Sequence, residues 1–272
     1  MITLCPKRVF KVPVDAECIS PDIFAEKSAS EIAKLLVWEG NRKRTLGELF
    51  KIELQTKTES KEPTIQISGD LRRVRKIGAK MCTGKIVVDG DVGMHLGEEM
   101  RGGVITVGGS ADSWAGCMMK NGTIEIKGDA GDYVGAAYRG STLGMSEGTI
   151  IIHGNAGNEA GCFMRKGIIK IRGNVGQFAG MHMKDGTILV RENSEGRAGA
   201  EMLGGKIIVC GHIPSILPTF TIDTVTPKVK VDGEEVAGPF YRFLGDLTEN
   251  GDGKLFVSQT QNPHLKPYEN YL

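Results

Sequence analysis

A glycine returns along this chain at Gly84, Gly103, Gly122, Gly148, Gly167, Gly186 and Gly205, in steps of 19 residues with a single step of 26. A fixed period near twenty residues marks one small unit stacked on copies of itself, because a lone unit cannot bury its apolar side. Each copy carries the pattern G-x-x-M-x-x-G-x-I-x-[IV]-x-G, with its methionine at Met81, Met100, Met119, Met145, Met164, Met183 and Met202. Two copies depart from it. The fourth reads with Thr142 at the first glycine, beside an insertion expected near residues 141–147, and the sixth places Glu192 at the last glycine.

Within the motif, Ile86/Val88, Ile105/Val107, Ile124/Ile126, Ile150/Ile152, Ile169/Ile171, Ile188/Val190 and Ile207/Val209 alternate with mostly polar residues, the period of a strand buried on one face. The tetrads that follow, such as Gly-Asp-Val-Gly (90–93) and Gly-Asn-Ala-Gly (154–157), supply the positive φ and Asx chemistry of tight turns. The expected fold is an all-β core, a right-handed parallel β-helix of about seven 19-residue rungs. A small N-terminal α/β cap (1–64) precedes this repeat domain (65–211), and an irregular C-terminal extension (212–272) follows it. The right-handed form is expected because neither a six-residue apolar period nor a calcium-binding G-G-x-G-x-D repeat is present. A dinucleotide site needs one glycine string opening a helix, not seven opening strands, which excludes that reading.

The 38 glycines stand beside only 10 prolines, and their periodicity argues for order. Lysine and arginine number 34 against 33 acids, which removes the global electrostatic case for nucleic acid or anionic membrane. No apolar run reaches the roughly 20 residues of a membrane span, and Lys7, Arg8 and Lys11 interrupt the opening stretch, so a cytoplasmic protein is expected. Cys5, Cys18, Cys82, Cys117, Cys162 and Cys210 contain no C-x-x-C pair and are expected to be reduced core thiols.

The flanks read as covers for the strand edges that a stack exposes at its ends. Ser28-Ala-Ser-Glu31 and Thr45-Leu-Gly-Glu48 read as capping boxes, the first opening a helix with Ile32, Leu35 and Leu36 on one face. An extended stretch is expected from Phe50 to Ile67, and Gln259 to Leu272 read as a tail laid on a partner.

No catalytic or metal-ligating set emerges. His95, His153 and His182 fall at different offsets and His212 and His264 lie outside the repeat, so no histidine ladder is expected. Cys117 and Cys162 share an offset but lie two rungs apart, roughly 10 Å at strand spacing, too far for a disulfide. Two stripes are candidate docking surfaces. Arg101, Lys120, Arg139, Arg165 and Lys184 share one offset and form a basic ridge whose charges would repel unless anions lie alongside. His95, Trp114, Tyr133 and Phe178 share another, next to Ala115, Ala160 and Ala179; alternation turns the alanines inward and the aromatics outward, toward a partner. The ridge lacks matching stacked acids, which argues against a catalytic cleft of the polysaccharide-lyase kind.

The seven motifs, their register and the segment Pro239-Phe-Tyr-Arg-Phe-Leu-Gly-Asp246 together resemble the C subunits of the tungsten- or molybdenum-containing formylmethanofuran dehydrogenases of methanogenic archaea. The repeat alone is also similar to the C-terminal domain of glutamate synthase, which would imply a part that positions neighbouring catalytic domains. The fuller resemblance implies a non-catalytic scaffold subunit of an oxidoreductase that reversibly converts CO2 and methanofuran to N-formylmethanofuran, the first step of methanogenesis from CO2. It implies no cofactor on this chain. Tungsto- or molybdopterin, iron–sulfur clusters and a dinuclear metal site are implied on a metallopterin subunit, ferredoxin-like subunits and an amidohydrolase-like subunit. The carboxylate-bearing tail of methanofuran is a candidate ligand for the basic ridge.

Overall fold

Why a glycine must return every 19 residues is visible in what its hydrogen faces. In the computed structural model, which describes residues 1–54 and 63–272, Gly103, Gly122, Gly148, Gly167, Gly186 and Gly205 all have φ between +81° and +102°. A Cβ at any of them would stand 2.5 to 2.9 Å from the terminal methyl of a motif methionine on the preceding coil. Glycine and methionine therefore recur together. The flexible thioether fills the space that the missing side chain leaves, and the positive φ is one that only glycine adopts without cost.

Each coil contributes one strand. The repeat strands are preceded by β1 (Ile2–Pro6), β2 (Val14–Asp15), β3 (Leu36–Glu39), β4 (Arg42–Thr45) and β5 (Phe50–Leu54). They begin with β6 (Thr64–Ile67), after which a short β7 (Val74–Arg75) leaves the stack. They continue as β8 (Lys85–Val88), β9 (Arg101–Val107), β10 (Asn121–Ile126), β11 (Thr149–Ile152), β12 (Ile168–Ile171), β13 (Thr187–Val190) and β14 (Lys206–Val209). From β6 to β14 every strand pairs in parallel with the next coil's strand, Ile on Ile. A second ladder of parallel bridges runs Leu71, Val92, Ala111, Ala130, Ala156, Val175, Ser194 on the other side of each turn. The columns Ile86 to Ile207 and Met81 to Met202 are fully buried between these ladders. Each isoleucine so buried contributes roughly 1.5–3 kcal/mol.

The turns are stitched by side chains as well. Asp129 Oδ1 accepts from the backbone N–H of Asn155, Asn155 Oδ1 from Asn174, Asn174 Oδ1 from Asn193, and Asn193 Oδ1 from His212, each within 2.7–3.1 Å. Asn155, Asn174 and Asn193 thus each tie the preceding turn to the next, since their Nδ2 donates to the preceding Oδ1.

The fourth coil corrects the expected alignment. Gly135, not Thr142, is its first glycine: φ is +65° there, and Met145 N–H donates to its carbonyl at 2.9 Å, as Met119 does to Gly116 at 3.0 Å. Thr142 lies three residues before Met145 only because the added residues, 138–144, end there.

At the N-terminal end β1 runs parallel to β6 and β5 antiparallel to β1, which extends the ladder outward. Of the extended stretch expected from Phe50 to Ile67, residues 55–62 lie outside the described residues. Both capping boxes form, opening α2 (Ala29–Ala33) and α3 (Leu46–Leu49), after α1 (Pro21–Phe24). Serine and threonine donors hold the Glu31 and Glu48 carboxyls below the usual range. Leu36 does not share the helical face with Ile32: α2 ends at Ala33, and Leu36 opens β3 with its side chain outward. The small sheet β4-β3-β2-β7 completes this end.

At the other end the hairpin of β15 (Thr221–Val231) and β16 (Glu234–Gly245) folds back, and β17 (Gly253–Ser258) pairs in parallel on β14 as a further rung. Val229, Val231, Val236 and Phe240 cover Leu189, Ile208 and Phe256 on the outer face of the last strands. The segment Gln259 to Leu272, expected as a tail laid on a partner, packs on this chain itself through Asn262, Leu265 and Tyr268. Buried Asn262 accepts from Ile213 N–H and donates to Gly211 and Ser258 carbonyls. Leu265 is buried, and the Tyr268 ring meets Phe243 edge-on at 5.2 Å. No helix among the described residues is long and apolar enough to cross a membrane.

Candidate docking interface

One arc of each coil, residues 114–120 in the third, carries every docking residue the sequence nominated except Arg139. It begins at a residue forced into the left-handed region: His95, Trp114, Tyr133, Glu159, Phe178 and Arg197 have φ between +56° and +71°. That geometry repeats because from His95 to Phe178 each backbone N–H in the series donates to a carbonyl of the next coil, Trp114 to Asp132 at 2.8 Å for example. The side chains consequently stack rather than fan out. Trp114 lies 4.2 Å from Tyr133 at 15° between planes, and His95 lies 5.9 Å from Trp114 at 5°.

The aromatics do point away from the isoleucine core, and Ala115, Ala160 and Ala179 do belong to that core. They are not the open face expected from alternation, however. Trp114 is 5% exposed, because the insertion brings Tyr138 against it at 5.2 Å and against His95 at 5.6 Å. Tyr138 and Leu143, each 46% exposed, become the outermost apolar groups. Phe178 does not join the stack, since Glu159 occupies the intervening coil; its ring instead lies 5.1 Å from the Arg197 guanidinium.

Four residues further along the arc is a second left-handed series, Glu99, Met118, Phe163, His182 and Glu201. Here Phe163 stacks on His182 at 4.4 Å, and His182 Nδ1 lies 3.4 Å from Glu201. Met118 and Phe163, together with Met94, Tyr133 and Met181, pack against Trp114, Cys117, Ala136 and Cys162 in a sulfur- and aromatic-rich cluster separate from the main core. The signal for it was present in the sequence, four residues after each aromatic. Burial pushes the Cys117 and Cys162 thiols up to about 12, so they sit there as apolar filler. His95 Nδ1 is 3.4 Å from Glu98, close enough to hold that carboxyl below its usual range but not aligned as a hydrogen bond.

The basic ridge runs beside this cluster. Arg101, Lys120, Arg139, Arg165 and Lys184 are all exposed. Arg139 is not a member: it lies on the insertion, and Ser146 takes its place, donating its N–H to Met119 carbonyl as Lys120 does to Met100. Lys120 is paired with Glu99 at 2.8 Å. Arg101, Arg165 and Lys184 have no ion pair among the described residues and carry the ridge's free charge. The remaining histidines are engaged elsewhere, His153 with Glu125 at 2.8 Å and His212 against His264 at 5.1 Å. The resulting surface can bind by shape, apolar contact and positive charge.

No family model matches the chain. It is 46% identical over 94 residues to the C subunit of molybdenum-containing formylmethanofuran dehydrogenase 1 of Methanothermobacter marburgensis, 35% of this chain and 23% of that one. It is 42% identical over 96 residues to the C subunit of the tungsten-containing formylmethanofuran dehydrogenase 2 of Methanothermobacter wolfeii, 35% of this chain and 36% of that one. These matches span about a quarter to a third of the curated relatives' length. Over 94% of the chain the fold is similar to a chain of the formyltransferase/hydrolase complex of Methylorubrum extorquens, solved with methylofuran, of which it covers 99% at 34% identity and a TM-score of 0.82. With a repeat, a stacked architecture and a full-length structural relative in agreement, the chain belongs to the same family as that chain of the formyltransferase/hydrolase complex, and about a third of its length is similar to formylmethanofuran dehydrogenase C subunits.

Proposed function

We propose that this chain is the non-catalytic scaffold subunit of a complex that reversibly converts CO2 and methanofuran to N-formylmethanofuran. It would stand with a metallopterin subunit, an amidohydrolase-like subunit with a dinuclear metal site, and ferredoxin-like subunits that hold iron–sulfur clusters. The scaffold part of the reading is carried by the 99% coverage of a chain that is itself one component of a formyl-handling complex, and its CO2 chemistry by the 46% identity over 94 residues to a formylmethanofuran dehydrogenase C subunit. The stacked coils suit a spacer: stability is built from neighbour-to-neighbour contacts, and one rigid side is left for docking. We read the winding as a right-handed parallel β-helix, since connections between adjacent parallel strands are right-handed in about 98% of cases.

In this role the chain's residues bind and position. The cluster topped by Tyr138 and Leu143 is the apolar centre of the interface, and Arg101, Arg165 and Lys184 form a basic rim that faces an acidic partner surface or the carboxylates of methanofuran. A second reading has a specific observation in its favour. The full-length likeness is to a formyltransferase/hydrolase complex, whereas the dehydrogenase matches cover 35% of the chain. Transfer and hydrolysis of a formyl group change no oxidation state and need no metallopterin.

Native purification through a tag on this chain tests both. The dehydrogenase reading expects a metallopterin and an amidohydrolase-like subunit to co-purify, with tungsten or molybdenum in the complex and none on the isolated chain. A complex that transfers the formyl group but holds neither metal supports the second reading. A chain that purifies alone, or turns over formylmethanofuran alone, overturns both.

A further inference from the structure

The N-terminal cap presents a second surface of different composition. In the hairpin β3–β4, Gly40 at φ +59° opens the turn, and alternation sends Val37 and Glu39 inward and Leu36 and Trp38 outward. The outward pair is 59% and 48% exposed, with Lys43 Nζ 5.6 Å over the Trp38 ring. Around the turn lies an open groove of about 600 Å³ whose walls include Arg8, Val9, Lys11, Val12, Arg42 and Arg44. Its one acid, Glu39, is buried and already held by Arg8 at 2.7 Å and Arg44 at 3.5 Å. Lys11 and Arg42 are exposed and have no ion pair among the described residues. The neighbouring strand β4 is an edge of its sheet and carries Arg42, Lys43 and Arg44 in succession.

Charge selects among the occupants. A second copy of this chain would oppose cation to cation along the β4 edge, which is how proteins prevent such pairing. A phosphate backbone would use the cations but gain nothing from Val9 and Val12, which are 69% and 42% exposed. An acidic protein segment bearing aliphatic side chains uses both. We propose that this cap face docks an acidic, aliphatic-bearing segment of a second subunit, so that the chain bridges two partners, one on the repeat arc and one on the cap. The proposal rests on the scaffold reading above, and it adds that the scaffold has two separate docking ends.

Zero-length carbodiimide cross-linking of the native complex tests it, because the reagent joins a lysine amine to a carboxyl group only in contact. Lys11 and Lys43 are expected to link to Asp or Glu of another subunit. The variant Lys11→Glu/Arg42→Glu, whose melting temperature should match the parent because neither side chain is paired, should lose that subunit at a salt concentration the parent complex survives. Links from these lysines only to this chain or to a second copy, or a variant complex of unchanged composition and salt stability, would overturn the proposal. So would co-purifying nucleic acid whose digestion frees the cap. If the repeat arc keeps its partner while the cap lysines link to nothing, the two-ended scaffold fails and the scaffold reading stands; a chain that purifies alone ends both.

Discussion

At Gly167 the constraint on one residue can be separated into parts. Its φ is +95°, and a Cβ would meet the Met145 methyl at 2.8 Å and the Gly148 carbonyl oxygen at 2.9 Å. The methionine can move; the carbonyl cannot. Gly167→Ala should therefore cost about 1–3 kcal/mol in a denaturant titration, and adding Met145→Ala should not restore the loss. Thiol reactivity divides along the same lines of burial. Cys82 is exposed, whereas Cys117 and Cys162 are buried with thiols pushed up to about 12. A disulfide reagent at pH 8 should modify Cys82 in the native chain and reach Cys117 and Cys162 only on unfolding; rapid labelling of Cys117 would contradict the packed cluster. Glu98 offers a pH test with a definite sign. Its carboxyl is held below the usual range by His95, so it adds stability above its unfolded value of about 4.3, lost as the pH falls through the lower folded value. Glu98→Gln should melt below the parent at pH 6, and the gap should close in acid.

Among the elements, the end pieces decide whether the stack has open edges. Asn262 makes three hydrogen bonds that fasten the tail over the last coils. Asn262→Ala leaves the Ile213 N–H and two carbonyls without partners inside the fold, and should cost about 1–3 kcal/mol by chemical denaturation. The repeat strands were legible in the sequence because every rung makes the same demand at the same offset. The ends were legible only in part. β17 joins the ladder after a long hairpin excursion, so no 19-residue step announces it. Its cover leaves a fainter trace: the outward strand position is Thr106, Glu125, Ile151 and Lys170 in middle rungs, and becomes apolar in two successive rungs only at Leu189 and Ile208, which are buried under the hairpin. The same limit applies to the docking arc. Offsets located the aromatics and the ridge, but a seven-residue insertion moved Arg139 out and brought Tyr138 over Trp114, and spacing alone does not say where a loop folds back.

For the whole molecule, the stack implies that length is adjustable in units of one coil and in no other unit. Deleting residues 168–186 joins Gly167 to Thr187, which already occupies the place of Ile168 in the register of β12 and β13. Ile188 then stacks where Ile169 did, Asn193 follows Asn155 in the turn ladder in place of Asn174, and Met183 leaves together with the Gly186 that its partner Met164 required. Such a chain should give the same circular dichroism per residue and remain monodisperse in gel filtration, with lower overall stability. Removing only residues 168–185 shifts every following residue by one position, and a strand of period two then turns its isoleucines to solvent and its polar residues into the core. That variant should aggregate or unfold. The pair of deletions differs by one glycine, so equal behaviour of the two would mean that adjacent coils do not dictate one another's register and would undercut the idea of a rigid spacer. A folded 19-residue deletion would also shorten the distance between the repeat arc and the C-terminal cover by one strand spacing, roughly 4.8 Å, and so tests directly whether a partner complex tolerates a scaffold of the wrong length.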